Sequence, residues 1–370
     1  MYYIGLMSGT SMDAIDTALV RFSEDSFELV AYDQFPYSDD VRKAVRELTG
    51  ESRPADIEKY HTLLGELFAG AVLKIINQSG VPAKDISAIG SHGQTILHLP
   101  DADPPRTWQI GNADIIAGET GITTVADFRR QDMEAGGQGA PLAPALHASL
   151  FRSTEVNRCI LNLGGIANIT VLPADAQNAV TGFDTGPGNG LMDDWNRLHN
   201  NTNMDQDGKW ALSGKSDPSL LRQLLRDPYF DRPFPKSTGR DYFNLQWLEQ
   251  QLAIQEVRPK PEDIQATLLE LTVTSIADAI NKQAVSISEL YCCGGGTHNT
   301  ALVRKLVEQL PGIAIHSTQT LGLDPDAVEA VTFAWLAKRR LEDKPGNLPS
   351  VTGAKRPVLL GKIYEPGGED

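Results

Sequence analysis

Cysteine is scarce in this sequence, and it lacks long apolar runs and targeting patterns. Cys159, Cys292 and Cys293 are the only cysteines among 370 residues, too few for the disulfide framework of a secreted protein. We therefore expect core thiols in a reducing compartment. No window approaches the roughly 18 apolar residues of a membrane span, and no basic region followed by an apolar stretch opens the chain. These features predict a cytoplasmic protein without a membrane partner.

Basic residues are the minority among the charged side chains. The chain has 33 Lys and Arg against 48 Asp and Glu, which gives a formal net charge of −15 at pH 7. Such a charge repels nucleic acids and anionic membranes, so we expect neither as a partner. A phosphate group would have to be held locally, by backbone dipoles, a few cations or a metal ion. His98, His147 and His316 lack the spacing of metal ligands, so no protein-held metal centre is predicted.

Length and apolar content favour two domains with a cleft over a single domain, since 41% of the 370 residues are hydrophobic. A strand, a glycine turn and a returning strand occur near the N-terminus and again at 158–172. A duplicated α/β domain explains this repetition most simply. The predicted strands lie at 2–6, 16–22, 27–35, 86–89, 123–126, 158–163, 166–172, 289–293 and 358–363, and the predicted helices at 39–49, 55–79, 113–120, 262–284, 299–309 and 326–341.

The segment at 126–142 separates the two halves. It contains three glycines and ends next to Pro141, so it predicts an interdomain hinge rather than a helix or strand. We therefore expect an N-terminal domain at 1–130 and a C-terminal domain at 131–345. Residues 345–370 form a segment that can pack back on the first domain.

The residues GLMSGTSMDAID at 5–16 follow the first predicted strand. Gly5 and Gly9 lack the Cβ that would keep a phosphate away, and the hydroxyl groups add hydrogen-bond donors. Asp13 and Asp16 can hold a hydrated Mg²⁺ or position a water. The motif predicts a nucleotide phosphate loop, and an ordinary hairpin turn is the alternative. The candidate nucleotide-binding residues are Gly9, Thr10, Ser11, Met12, Asp13, Ala14, Ile15 and Asp16.

Two further glycine turns come directly after predicted strands, at 162–168 and 294–299. One such turn is weak evidence, but three at strand ends in both halves favour a nucleotide gripped from both walls of a cleft. The triple glycine allows close approach of a base or ribose, and its alternative is a tight strand-to-helix connection. The candidate residues are Asn162, Gly164, Gly165, Gly294, Gly295 and Gly296.

The segment GFDTGPGN at 182–189 places an acid before a rigid turn. Asp184 ends a short apolar approach, and the turn that follows would fix the direction of its carboxylate. A carboxylate fixed in a cleft can take a proton from an attacking water. An Asx-turn cap is the alternative, and it is the commoner use of Asp before Gly and Pro.

Taken together, these motifs resemble the acetate and sugar kinase, Hsp70 and actin superfamily. The resemblance implies two ribonuclease-H-like domains that clamp ATP, with phosphate loops in both halves and an adenosine loop in the second. A closer resemblance, to the anhydro-N-acetylmuramic acid kinase family over nearly the whole chain, is carried by the strings MSGTSMDAID, SHGQT, ADFRRQDMEAGGQGAPL, NLGGIANIT, GFDTGPGN, KSTGRDYFN, CGGGTHN and EAVTFAWLA.

The family resemblance implies a homodimeric kinase of peptidoglycan recycling that uses ATP and Mg²⁺. In such a kinase, Asp184 would activate a water that opens the 1,6-anhydro bridge of the sugar at C1, while the freed O6 attacks the γ-phosphate of ATP. The family usually has glycine where this chain has Ala14, so a loop that required a positive φ would be strained there. We expect the loop to accommodate the methyl group.

The lactyl carboxylate of a muramic sugar requires a cation in this acidic chain. Arg129 and Arg130, in the predicted hinge, are the best candidates because a guanidinium binds a carboxylate through two parallel bonds. A solvated pair on a loop is the alternative. Glu329, at the start of a predicted helix, and His92 and Gln94, just past a strand, are weaker candidates for contacts with the sugar.

The residues KSTGR at 236–240 are expected to cover the cleft as a mobile lid or to form a plain surface loop. Two other functions are also compatible with the motifs. A non-catalytic or chaperone-like ATPase switch would use the same clamp and would normally add a peptide-binding domain or a polymer interface. A kinase for a different sugar acid would share the nucleotide motifs.

Overall fold

The computed structural model describes residues 1–9, 12–24, 26–234 and 236–367. The first part of the chain forms an antiparallel meander, then parallel strands joined by helices. Its strands are β1 (Tyr2–Ser8), β2 (Ala14–Phe22), β3 (Phe27–Pro36), β4 (Ile86–Ser91), β5 (Gln94–Leu99), β6 (Arg106–Ile110) and β7 (Thr124–Ala126). Its helices are α1 (Asp39–Arg46), α2 (Pro54–Ser79), α3 (Ala113–Thr120), α4 (Arg130–Glu134) and α5 (Ala143–Phe151).

The middle of the chain repeats this arrangement. Its strands are β8 (Arg158–Leu163), β9 (Ile166–Leu172), β10 (Thr181–Pro187), β11 (Glu289–Cys293) and β12 (Ala314–Ser317). Its helices are α6 (Gly190–Asn200), α7 (Lys209–Ser213), α8 (Pro218–Leu224), α9 (Pro228–Asp231), α10 (Leu245–Leu252), α11 (Pro261–Asn281) and α12 (Thr300–Gln309).

The last part of the chain returns to the first. It contains α13 (Val328–Leu341), α14 (Pro349–Thr352) and β13 (Lys362–Tyr364), and β13 pairs antiparallel with β7. Unit 1 therefore consists of Met1–Leu150 together with the chain from Gly322 onward, and unit 2 is Phe151–Leu321.

The two units share one strand order. Unit 1 has β3-β2-β1-β4-β7, with β13 added at the β7 edge, and unit 2 has β10-β9-β8-β11-β12. In both units the first three strands are antiparallel and the last two join the sheet in parallel. This is the ribonuclease-H-like topology, and it confirms the predicted α/β class of two such domains, as in actin-like ATPases.

Unit 1 packs helices on opposite faces of its sheet. On one face, α2 and α3 cover an apolar core that includes Ile4, Leu6, Leu19, Leu64, Phe68, Val72 and Ile116. On the other face, α13 lies directly on the backbone of β1 and β4. A Cβ on Gly5 would overlap the carbonyl of Ala330, and one on Gly90 would overlap the carbonyl of Phe333. The two glycines therefore permit close contact between helix and sheet.

Unit 2 has a core of its own. It joins the inner face of β8 to α6, α8, α10, α11 and α12, and includes Leu161, Leu163, Trp195, Leu224, Leu248, Leu268, Ile276 and Leu302. This core holds the strand ends of unit 2, and the glycine turns that follow them, in fixed positions.

The predicted hinge at 126–142 is wrong. Helix α4 lies inside it, and Asp132 on that helix is completely buried within unit 1. The division between units therefore falls after Leu150 rather than at residue 130, and unit 1 resumes at Gly322 rather than at 345. The closing strand is Lys362–Tyr364, shorter and later than the predicted 358–363. The glycines suggested flexibility, but burial of the chain around α4 keeps it in unit 1.

Candidate active site

The turn after β1 is shorter than the predicted phosphate loop. The N–H of Met12 donates to the carbonyl of Gly9 at 3.1 Å, and Met12 is buried with a φ of 50°. Ala14, Ile15 and Asp16 already belong to β2, so Ala14 adopts extended backbone and needs no glycine. Thr10 and Ser11 lie outside the described residues.

Asp16 and Asp13 have different surroundings. The Oδ1 of Asp16 accepts hydrogen bonds from the Tyr32 hydroxyl at 2.7 Å and the Gln34 side chain at 2.8 Å. Burial raises the pKa of Asp16, and the charges of Asp326 and Asp13 raise it further. Asp13 is exposed and lies 3.6 Å from Arg42. Asp16 is therefore the better placed of the two to hold a water of a hydrated cation.

Among the described residues, no group of three or more His, Cys, Asp and Glu side chains is arranged to hold a metal ion. A magnesium ion that accompanies a nucleotide needs only one or two carboxylates besides phosphate oxygens and waters. The single carboxylate of Asp16 fits that requirement.

His92 and Arg129 form a hydrogen-bonded pair in unit 1. The Nδ1 of His92 lies 2.8 Å from the carbonyl of Gly93 and so carries the proton, and Nε2 accepts from Arg129 Nη2 at 2.9 Å and Nε at 3.1 Å. Burial and the nearby guanidinium lower the pKa of His92. Burial also lowers the pKa of Arg129 to about 10, an effect opposed by Glu329 and Asp132. Arg129 thus stays charged at neutral pH next to a neutral imidazole.

Gln94 and Arg130 are bound elsewhere. The Oε1 of Gln94 accepts from the Ser8 hydroxyl at 2.6 Å, and that hydroxyl accepts from Tyr37 at 2.9 Å. Arg130 donates to Asp127 at 2.6 Å with a half-exposed side chain. Of the two predicted arginines, only Arg129 is therefore joined to His92, and the hydrogen bond of Gln94 holds β5 to β1.

Asp132 was missed by the sequence analysis. Its Oδ1 accepts from Asn347 at 2.6 Å and from Thr352 at 2.7 Å, and its Oδ2 accepts from the N–H of Gly139 at 2.8 Å. The carbonyl of Gly139 in turn accepts from Arg129 Nη1 at 2.7 Å. Asp132 therefore holds Gly139, the residue whose carbonyl binds Arg129. In the sequence, only its position inside the motif ADFRRQD could have indicated that Asp132 matters.

Two glycine turns meet in unit 2. Gly164 and Gly165 connect β8 to β9, and their carbonyls accept backbone hydrogen bonds from residues 188–190 at 2.9–3.1 Å. A Cβ on Gly188 would overlap the carbonyl of Gly164. The two loops are thus in direct backbone contact.

The triple glycine at 294–296 packs against these two loops. Gly294 has a φ of 81°, and a Cβ there would overlap the side chain of Asn162. A Cβ on Gly296 would overlap the side chain of Asn189, whereas Gly295 has open space around it. Because β8 and β11 are parallel neighbours, their carboxyl ends meet at one edge of the sheet. Gly294 and Gly296 thus serve close packing inside the unit, and of the three glycines Gly295 leaves space for a phosphate or ribose to approach the backbone.

Asp184 lies within β10, which continues to Pro187 through the predicted turn, and it is next to an irregularity in the pairing with β9. Its Oδ2 accepts from the N–H of Thr238 at 2.9 Å, its own N–H donates to the carbonyl of Lys236 at 3.1 Å, and its carbonyl accepts from the Tyr229 hydroxyl at 2.6 Å. Burial raises the pKa of Asp184 to about 6, although the Thr238 hydrogen bond opposes the rise. This carboxylate is ionised at neutral pH and more basic than an ordinary aspartate.

No helix in the described part of the chain is long and apolar enough to cross a membrane. Among solved structures, component A of (R)-2-hydroxyglutaryl-CoA dehydratase from Acidaminococcus fermentans is similar with a TM-score of 0.46 and 12% identity, covering 90% of this chain and 98% of that one.

Sequence comparison gives much closer relatives. An anhydro-N-acetylmuramic acid kinase of Coxiella burnetii (strain RSA 493 / Nine Mile phase I) is 50% identical over 365 residues, 98% of this chain and 97% of the relative. One of Xanthomonas campestris pv. campestris (strain 8004) is 50% identical over 368 residues, with the same coverage. The family model described as anhydro-N-acetylmuramic acid kinase matches residues 1–366. The chain belongs to the anhydro-N-acetylmuramic acid kinase family and is a phosphotransferase.

Proposed function

We propose that this kinase uses ATP to open 1,6-anhydro-N-acetylmuramic acid with water and to phosphorylate its O6, yielding N-acetylmuramic acid 6-phosphate and ADP for cell-wall recycling in the cytoplasm. The observation that carries the proposal is the setting of Asp184. Its carboxylate accepts from the N–H of Thr238, its backbone is bonded to Lys236 and Tyr229, and burial raises its pKa to about 6. Family membership supplies the substrate class. We further propose that the protein works as a homodimer.

The reaction combines hydrolysis of the anhydro bridge with phosphorylation of O6, and Asp184 is the proton acceptor. Asp184 takes a proton from a water as the water oxygen attacks C1 of the sugar. The bond between C1 and O6 breaks, and its electron pair stays on O6. O6 attacks the γ-phosphorus of ATP, and the bond to the leaving ADP breaks. Asp184 then releases its proton to solvent, so both steps belong to one turnover.

Arg129 is the proposed partner of the lactyl carboxylate. Its guanidinium is held by His92 and by the carbonyl of Gly139, so it is oriented before substrate arrives. We keep Glu329 and Gln94 as weaker candidates for contacts with the sugar. Arg130 is the weakest, because it is already paired with Asp127 at the surface.

The glycine turns of unit 2 are the proposed binding loops for the nucleotide. Gly164, Gly165 and the triple glycine offer backbone without side chains at one sheet edge. From unit 1, the turn at Gly9 and Asp13 is assigned to the phosphates. Asp16 would hold a water of Mg²⁺, and the ion when bound would neutralise negative charge on the phosphates.

The test supplies ATP, Mg²⁺ and the anhydro sugar, and measures sugar phosphate by mass spectrometry. Asp184→Asn should retain nucleotide binding and lose at least about 100-fold in kcat, because an amide cannot accept the proton. Asp175→Asn, at an exposed position of the same unit, is the control and should match the wild type.

Full activity of Asp184→Asn would remove Asp184 from the mechanism. ATP hydrolysis by the wild type without sugar phosphate would instead favour an ATPase switch. Turnover of another sugar acid in preference to the anhydro sugar would reassign the substrate.

A further inference from the structure

Arg240 lies against the glycine turn of unit 2. A Cβ built on Gly165 would be 3.2 Å from its Cδ, and one built on Gly190 would be 3.3 Å from its Nε. The side chain is 30% exposed, so it is only partly covered by the protein. The absence of side chains at these glycines allows the arginine to approach the backbone closely.

Arg240 shares its acidic hydrogen-bond partner with a second arginine. Its Nη2 donates to Asp194 Oδ1 at 2.7 Å, and Arg197 donates to the same oxygen at 2.9 Å. Two guanidinium groups thus share one carboxylate. Nε and Nη1 of Arg240 make no hydrogen bond within the described part of the chain. A planar guanidinium with spare donors matches the geometry of phosphate oxygens.

Arg240 lies in the same short segment as the residue that binds the proposed proton acceptor. The N–H of Thr238 binds the carboxylate of Asp184, and only one residue separates Thr238 from Arg240 in sequence. The Cα atoms of Thr238 and Arg240 are therefore at most about 7 Å apart. The segment 236–240 thus contacts Asp184 through Thr238 and the glycine turn through Arg240.

We propose that Arg240 binds a phosphate group of the nucleotide and offsets its negative charge during transfer. The inference rests on the proposed function and adds a phosphate-binding residue to it. Asp194 orients the guanidinium, and the glycines at 165 and 190 provide the space for it. The phosphate would then be held next to the water that Asp184 activates.

Isothermal titration of the full-length protein tests the proposal, with ATP, ADP and adenosine as separate ligands in the presence of Mg²⁺. Arg240→Gln should weaken ATP binding by about 10- to 100-fold and leave adenosine binding unchanged, because only the phosphates meet the guanidinium. Arg240→Lys keeps the charge but not the planar guanidinium, so its affinity for ATP should lie between those of the wild type and Arg240→Gln. Arg197→Gln removes the other cation on Asp194 and should bind ATP as the wild type does.

Thermal unfolding of each variant checks that the fold is intact, and Arg240→Lys replaces Arg240→Gln if the latter unfolds. Equal affinity of wild type and Arg240 variants for ATP would overturn the proposal, as would a parallel loss of adenosine binding. A wild type that binds ATP through Arg240 but forms no sugar phosphate would overturn the proposed function alone. A wild type that binds no ATP would overturn both.

Discussion

Asp184 holds a proton more tightly in the folded protein than an ordinary aspartate does. Its pKa of about 6 stands well above the usual 3.8, because burial disfavours the charged form. The same burial that makes the group a stronger base therefore costs folding free energy once it ionises. Function and stability are opposed at this residue.

This opposition predicts that Asp184→Asn is more stable than the wild type at neutral pH. Because the folded pKa is raised, the stability linked to this proton is complete below the unfolded pKa of 3.8 and is lost as pH rises through 6. The amide mimics the protonated acid, so the gain at pH 7.5 should be about 1–3 kcal/mol. Urea unfolding at several pH values measures it.

The gain should shrink to about a third at pH 4.5, where the wild-type carboxyl is largely protonated in the folded state. A constant difference across this range would mean that the amide acts through packing rather than through the proton. A variant less stable than the wild type at every pH would contradict the prediction.

Sequence patterns point to residues whose chemistry is local, but not to their distant partners. The glycine turns could be picked out from their places after predicted strands, whereas Asp184 was favoured over an Asx-turn cap only through the family resemblance. The role of Asp132 could not, because it depends on Asn347 and Thr352, far along the chain. The hydrogen bond from Thr238 to Asp184 likewise requires the tertiary fold.

At the scale of elements, the contact between α13 and the sheet depends on Gly5 and Gly90. A methyl group at either glycine would overlap helix backbone, which cannot move aside as a flexible side chain can. The helix would have to shift away from β1 and β4, and the buried residues of α13 would lose their contacts.

We therefore predict that Gly5→Ala destabilises the protein by about 2–4 kcal/mol, measured by chemical denaturation. Gly70→Ala is the matched control. Gly70 lies within α2 with no atom near its missing Cβ, so alanine there should stabilise by up to about 1 kcal/mol through helix propensity. Equal effects of the two substitutions would show that α13 does not depend on close contact at β1.

Element prediction succeeded where hydrophobic periodicity was clear. It failed where glycine was interpreted as flexibility, and it missed β10 and the helices α6 to α10. The meander and the long helices α2 and α11 have clear periodicity, and their predicted bounds lie within a few residues of the observed ones. In the predicted hinge, Gly137 instead allows close approach to Asp132, and Gly139 provides a φ of 67°. Periodicity reports a local preference, whereas these glycines serve contacts made only in the folded unit.

At the scale of the whole molecule, unit 1 is discontinuous in sequence and unit 2 is continuous. Among the described residues, the core of unit 2 is built from residues between Cys159 and Ile315, all within that unit. Unit 1 needs α13 and β13 to complete its sheet and cover one of its faces.

A chain truncated after Leu321 should therefore keep unit 2 and lose unit 1. Hydrogen exchange should find the amides of β8 and β11 about as protected as in the full chain, and those of β1 and β4 exposed. A chain ending at Gly367 is the control and should match the full-length protein. Loss of protection in both sheets would indicate that unit 2 does not fold alone.

The glycine-lined face of β1 and β4 has a consequence during translation. These strands leave the ribosome early, while the helix that covers them is synthesised only after the whole of unit 2. The nascent polypeptide must carry a bare sheet surface through that interval, so slower elongation lengthens the time in which it can aggregate.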